Sequence, residues 1–131
     1  MKILIIEDDP ASLKLTSDVV QGGGHVVMLA TTADQAVYSI KAVRPDVILL
    51  DLRLPGIKGF GVASQCRGEP GTRDIPIIAI TSFSEEYGKD EALKAGCDAY
   101  IVKPINTRTL LKQIEDVVAV KARTSLSKLS Q

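Results

Sequence analysis

Five short apolar runs punctuate the chain: Ile3-Leu4-Ile5-Ile6, Val26-Val27-Met28-Leu29, Val47-Ile48-Leu49-Leu50, Ile77-Ile78-Ala79-Ile80 and Ala99-Tyr100-Ile101-Val102. Each is too short for a buried helix, rich in β-branched residues and without polar alternation. That pattern predicts parallel strands covered on both faces. The segments between them carry helical spacing. Leu13, Val19 and Val20 form the first stripe, and Ala33, Ala36, Val37 and Ile40 the second, which Arg44-Pro45 ends. A third helix is predicted over 60–67 and a fourth over 85–95, with Gly96 as its C-cap. Leu110, Leu111, Ile114, Val117 and Val118 mark a fifth. Strict alternation of strand and helix predicts an α/β fold: a flavodoxin-like open parallel five-stranded sheet, order 2-1-3-4-5, with five helices on both faces.

Length and charge narrow the picture. The 131 residues suit one domain, predicted over 1–121, followed by a short polar C-terminal tail, 122–131; the Ser- and Lys-rich stretch from Arg123 is expected to fray. The 16 basic and 16 acidic residues cancel, which argues against a broad basic surface and hence against direct nucleic-acid binding. No apolar run approaches the ~20 residues that cross a bilayer, and no signal peptide opens the chain, so no membrane partner is expected. Cys66 and Cys97 lack metal spacing and read as reduced thiols of a cytoplasmic protein. Gly22-Gly23-Gly24 leaves a helix rather than entering one, which suits a turn and not a phosphate cradle. His25 is the sole histidine and has no companions for metal or catalytic work.

Ligands of open α/β sheets bind beyond the carboxyl ends of the strands, at the point where strand order reverses. The residues at those ends are polar. Glu7, Asp8 and Asp9 follow strand one, Asp51 follows strand three, Thr81 and Ser82 follow strand four, and Lys103 follows strand five. Carboxylates brought close repel one another, and a hard divalent cation relieves the repulsion; oxygen ligands select magnesium or calcium. A carboxylate left free can attack a phosphoryl group, whose oxygens then need the ammonium of Lys103 and the hydroxyl of Thr81. Taken singly, an Asp after a strand is often a helix N-cap, and Glu7-Asp8-Asp9-Pro10 does look like a helix start. The set, distributed over four strands, is what points to a site.

These same residues resemble the response-regulator receiver family over about residues 2–120. Residues 3–9, ILIIEDD, look like its first strand and acidic pair. Residues 47–59, VILLDLRLPGIKG, look like its phosphorylation strand and following loop. IIAITS at 77–82 and AYIVKP at 99–104 match its hydroxyl-bearing and lysine-bearing strands. The resemblance implies that Asp51 is the phosphoacceptor and that Mg2+ is held by Asp8, Asp51, the carbonyl of Arg53 and, through water, Glu7. It implies that Thr81 and Lys103 bind the phosphoryl group, that the bond before Pro104 is cis, and that Tyr100 changes exposure as the switch turns on. Leu54 and Lys58 depart from the commonest pattern, and Arg53 and Phe83 stand where the family tunes hydrolysis. The implied function is a phosphorylation-dependent switch, itself regulatory rather than an enzyme on other substrates, although it assists its own phosphorylation and dephosphorylation. The implied donor is a sensor histidine kinase or histidine phosphotransfer protein. No output domain is expected after the fifth helix. The implied output is therefore a protein target on the helix 4–strand 5–helix 5 face, with Tyr100, Ile105 and Asn106 as contact residues, in the manner of single-domain chemotaxis-type or cell-cycle-type regulators. Two other classes fit less well. A flavin- or nucleotide-binding module would need a Gly-, Ser- or Thr-rich loop where Glu7-Asp8-Asp9 stands. A degenerate receiver, acting as a phosphorylation-independent interaction module, would lack one of the acids, the Thr or the Lys.

Overall fold

A computed structural model describes residues 1–53, 59–82 and 89–129. Its elements alternate as predicted: β1 (Lys2–Ile6), α1 (Pro10–Gly22), β2 (Val26–Ala30), α2 (Ala33–Val43), β3 (Val47–Asp51), α3 (Gly59–Gly68), β4 (Ile77–Ser82), α4 (Lys89–Lys94), β5 (Ala99–Lys103) and α5 (Leu110–Leu129). The five strands form one parallel sheet in the order β2-β1-β3-β4-β5. Leu54, Lys58, Phe83 and the predicted start of the fourth helix at Glu85 lie outside the described residues.

Successive strand residues face opposite sides, so the sheet has two cores. Ile3, Ile5, Val47, Leu49, Ile78 and Ile80 face α1 and α5, where Val20, Leu110 and Ile114 meet them. Leu4, Ile6, Ile48, Leu50, Ile77 and Ala79 face the small residues of α2, α3 and α4, among them Ala36, Ala63 and Ala92. Both helices on either side of β2 are capped locally. Asp9 accepts the Ser12 amide at 2.9 Å ahead of α1, and Thr32 accepts the Gln35 amide at 3.2 Å ahead of α2. Arg44 takes φ 50° to end α2, and Gly96 takes φ 109° after α4.

Two expectations change. The five runs are not all covered on both faces: β2 pairs only with β1 and leaves Val26 62% and Leu29 51% exposed, while β5, the other edge, is half-buried. A lone apolar run cannot reveal whether its strand lies inside the sheet or at its edge. The stretch expected to fray is helical instead, because α5 runs on through Leu129. Nothing after Asn106 is Gly or Pro, and Ala119, Lys121, Ala122 and Arg123 are good helix formers, so the helix has no reason to stop at the end of its core face.

Away from the carboxyl edge, Asp98 ties the two layers together. Its carboxylate accepts from Arg67 of α3 at 2.7 Å, from the Ile77 amide at 2.8 Å and from Lys121 of α5 at 3.0 Å. Arg67 also donates to the carbonyls of Arg73, Ile75 and Gly96.

Candidate functional site

Because all five strands run the same way, their carboxyl ends share one edge, and the order reverses between β1 and β3. Pleating then decides which end residues meet. Glu7 continues the parity of Ile3 and Ile5, Asp51 that of Val47 and Leu49, and Lys103 that of Ala99 and Ile101. All three side chains therefore emerge on the α1–α5 side. Glu7 is held there by its amide, which donates to the Ala30 carbonyl at 3.0 Å and extends the ladder one residue beyond β1.

Glu7 is 4% exposed and Asp51 6%. Lys103 Nζ donates to Glu7 Oε1 and, at 3.3 Å, to Asp51 Oδ2. The Arg53 amide donates to Asp51 Oδ1 at 2.8 Å. Asp8 is exposed, yet one carboxylate oxygen each of Glu7, Asp8 and Asp51 lie within 4.8 Å of one another. Glu7 Oε2 is buried without a hydrogen-bond partner among the described residues.

The electrostatics follow from this crowding. Burial pushes the Glu7 carboxyl up, the neighbouring Asp51 carboxyl pushes it further, and Lys103 only partly opposes them, so Glu7 is raised to about 8. Burial also pushes Asp51 up, but the Glu7 proton, the Arg53 amide and Lys103 together outweigh it and hold Asp51 below its ordinary range. Burial works against the Lys103 charge, yet its bond to Glu7 and the two carboxylate charges raise its pKa overall. Asp51 is thus the carboxylate kept ionised, which is the form a nucleophile needs.

The arrangement suits a small hard cation. Opposite ligands of an octahedral Mg2+ stand about 4.2 Å apart, given bonds of about 2.1 Å, and the three carboxylates converge within a similar span. An all-oxygen set selects Mg2+ or Ca2+, and the buried Glu7 Oε2, without a hydrogen-bond partner among the described residues, offers a free lone pair.

The expected residues fall into three groups. Glu7, Asp8, Asp51 and Lys103 form one cluster, and the bond before Pro104 is cis. Arg53 touches that cluster through its amide. Thr81 is fully buried at the same edge but continues the parity of Ile77 and Ala79, toward the α2–α4 side. Its hydroxyl donates to the Ser82 carbonyl at a long 3.4 Å. Tyr100 pairs in register with Ala79 and packs against the same core, so Thr81 and Tyr100 share one face of the sheet. Ile105 is half-buried, and exposed Asn106 precedes α5, its side chain accepting the Arg108 amide at 3.0 Å and its carbonyl the Leu110 amide. One neighbour carries almost no sequence signal: Thr16 of α1 lines a cavity together with Glu7, Asp51 and Lys103. Its only mark is a hydroxyl inside the apolar stripe between Leu13 and Val20.

Comparison with known proteins agrees with the geometry. Residues 3–115 match the family described as Response regulator receiver domain. The chain is 32% identical over 118 residues to the protein PilH of Pseudomonas aeruginosa, covering 90% of this chain and 98% of that one. It is 30% identical over 113 residues to the polar-differentiation response regulator DivK of Brucella anthropi, covering 86% and 92%. Among solved structures it resembles the receiver domain of the sensor histidine kinase PA1611 from Pseudomonas aeruginosa, determined with a magnesium ion coordinated in the active site cleft. The TM-score is 0.83 and the identity 30%, over 90% of this chain and 97% of that one.

Proposed function

The chain belongs to the response regulator receiver domain family of two-component signalling, and on that premise we propose that it is a phosphorylation switch whose acceptor is Asp51. The observation that carries this reading is the convergence of Glu7, Asp8 and Asp51 at the edge where strand order reverses, with Lys103 bonded to Asp51.

In the proposed reaction an oxygen of Asp51 attacks the phosphorus of a phosphohistidine on a sensor histidine kinase or phosphotransfer protein. The O–P bond forms as the P–N bond breaks, and the imidazole leaves with the electron pair. Mg2+, held by Asp8, Asp51, the carbonyl of Arg53 and, through water, Glu7, would neutralise phosphoryl oxygens in this step. Lys103, already bonded to Asp51 Oδ2, is positioned to follow the new charge. Thr81 lies one residue beyond the register partner of Asp51 and must turn its hydroxyl toward the phosphoryl group to bind it. Because Thr81 and Tyr100 share a sheet face, that turn frees space on the side where Tyr100 packs. A protein target would then read the α4–β5–α5 face, including Tyr100, Ile105 and Asn106.

The test is direct. Incubation with Mg2+ and acetyl phosphate should add one acid-labile phosphoryl group, read by intact mass, and Asp51→Asn should abolish it. Labelling that survives in Asp51→Asn would sink the assignment.

A further inference from the structure

Thr16 lies in the middle of α1 and is 7% exposed. A threonine in such a place commonly bonds back to the carbonyl four residues earlier, as Thr124 does to Val120 at 3.0 Å in α5. Thr16 makes no hydrogen bond with any described residue. Among the described residues only Glu7 Oε2 is a fully buried polar side-chain atom without a partner, so the Thr16 hydroxyl keeps some contact with solvent. Thr16 lines a cavity of about 10 Å3 with Glu7, Asp51 and Lys103, room for about one water. It also lines an outer groove with Ser12, Leu15, Ser82 and Lys103. On the wall of the inner cavity stands Glu7, whose Oε2 is buried and lacks a donor.

We propose that Thr16 is a positioning residue for the cation site, its hydroxyl donating to Glu7 Oε2 through one water in the cavity they share. The inference rests on the receiver reading of that site. The two unmatched groups complement one another: a donor without an acceptor on α1 and an acceptor without a donor at the end of β1. Lys103 serves Oε1; Thr16 serves Oε2. The Glu7 carboxyl is thereby held by both oxygens, which fixes its orientation beside the cation site. Partners of this kind commonly alter metal affinity by an order of magnitude or more.

The experiment is calorimetric titration of Mg2+ into wild-type protein, Thr16→Val and Thr16→Ser at one fixed pH, with thermal unfolding of each in chelator. Thr16→Val, of nearly the same shape, should remain folded in chelator, yet bind Mg2+ roughly tenfold more weakly. Thr16→Ser keeps the hydroxyl and should bind as the wild type does. Equal Mg2+ affinity in Thr16→Val would overturn the proposal. So would equal weakening in Thr16→Ser, which would assign the effect to the methyl group. Absence of Mg2+ binding by the wild type would instead overturn the cation site, and this inference with it.

Discussion

Lys103, the last residue of β5, donates to Glu7, the first residue after β1, across 96 positions of sequence. The same ammonium reaches Asp51, so one cation serves two buried carboxyls and cannot balance both once Glu7 ionises. Asp8 adds a third carboxyl. This imbalance governs how the site should respond to protons, to metal and to loss of the lysine.

Stability of the metal-free protein should fall as pH rises from about 4.5 to about 8. Folded Glu7 holds its proton to about 8, whereas its ordinary value is 4.5, so the folded state binds more protons between those values. The contribution is complete below pH 4.5 and lost once pH passes through about 8. Asp51, held low, acts in the opposite sense but only in the acid range, where its ordinary value of 3.8 lies. Thermal unfolding in chelator from about pH 5 to just above pH 8 reads the slope. Glu7→Gln should flatten it, and an unchanged slope in that variant would rule out Glu7 as its origin.

Mg2+ must find Glu7 ionised, so its affinity should rise with pH over the same window, and saturating metal should offset the loss of stability. Calorimetry at about pH 6 and about pH 8 gives the comparison. Tighter binding at the lower pH would contradict the linkage.

Lys103→Met removes the only ammonium bonded to Glu7 and Asp51 among the described residues. Leaving buried charge unpaired costs about 3–5 kcal/mol, and the loss should be larger at about pH 8, where Glu7 is ionised, than two units lower. Mg2+ should bind this variant more tightly, because a competing positive charge has gone. Urea unfolding at both pH values and a metal titration check the two signs.

Asp98→Ala strands Arg67 and the Ile77 amide and releases Lys121. Breaking such a partly buried network by one partner should cost about 3 kcal/mol, visible as a lower denaturant midpoint. The network lies at the amino-terminal end of β5, far along the strand from Lys103, so phosphorylation by acetyl phosphate should persist under conditions where the variant is folded.

Phosphorylation should change hydrogen exchange at Tyr100 and its neighbours in β5 while leaving β2 unaffected. Thr81 and Tyr100 share a sheet face, and β2 lies at the opposite edge. Identical exchange at β5 in both states would remove the basis for the output face.

Much of this was legible in the sequence, for a physical reason. Parallel strands buried on both faces must be apolar runs, and the crossovers between them must be amphipathic helices, so the alternation of Ile3–Ile6, Val47–Leu50 and Ile77–Ile80 with helical stripes determined the α/β sheet. The polar residues that end those runs can only lie at one edge, and that alone made Glu7, Asp8, Asp51, Thr81 and Lys103 candidates. Pattern could not tell which strand was an edge, and so β2 proved half-exposed. Nor could it fix where α5 stops, since helix propensity carries it past its last core residue to Leu129. What only the tertiary structure decided were the contacts between distant elements. Lys103 bonds to Glu7 as well as Asp51, Glu7 rather than Asp51 is the acid pushed up, and Thr16 of α1 stands beside them. Those outcomes depend on distances and burial set by packing across the sheet, and no local sequence spacing encodes them.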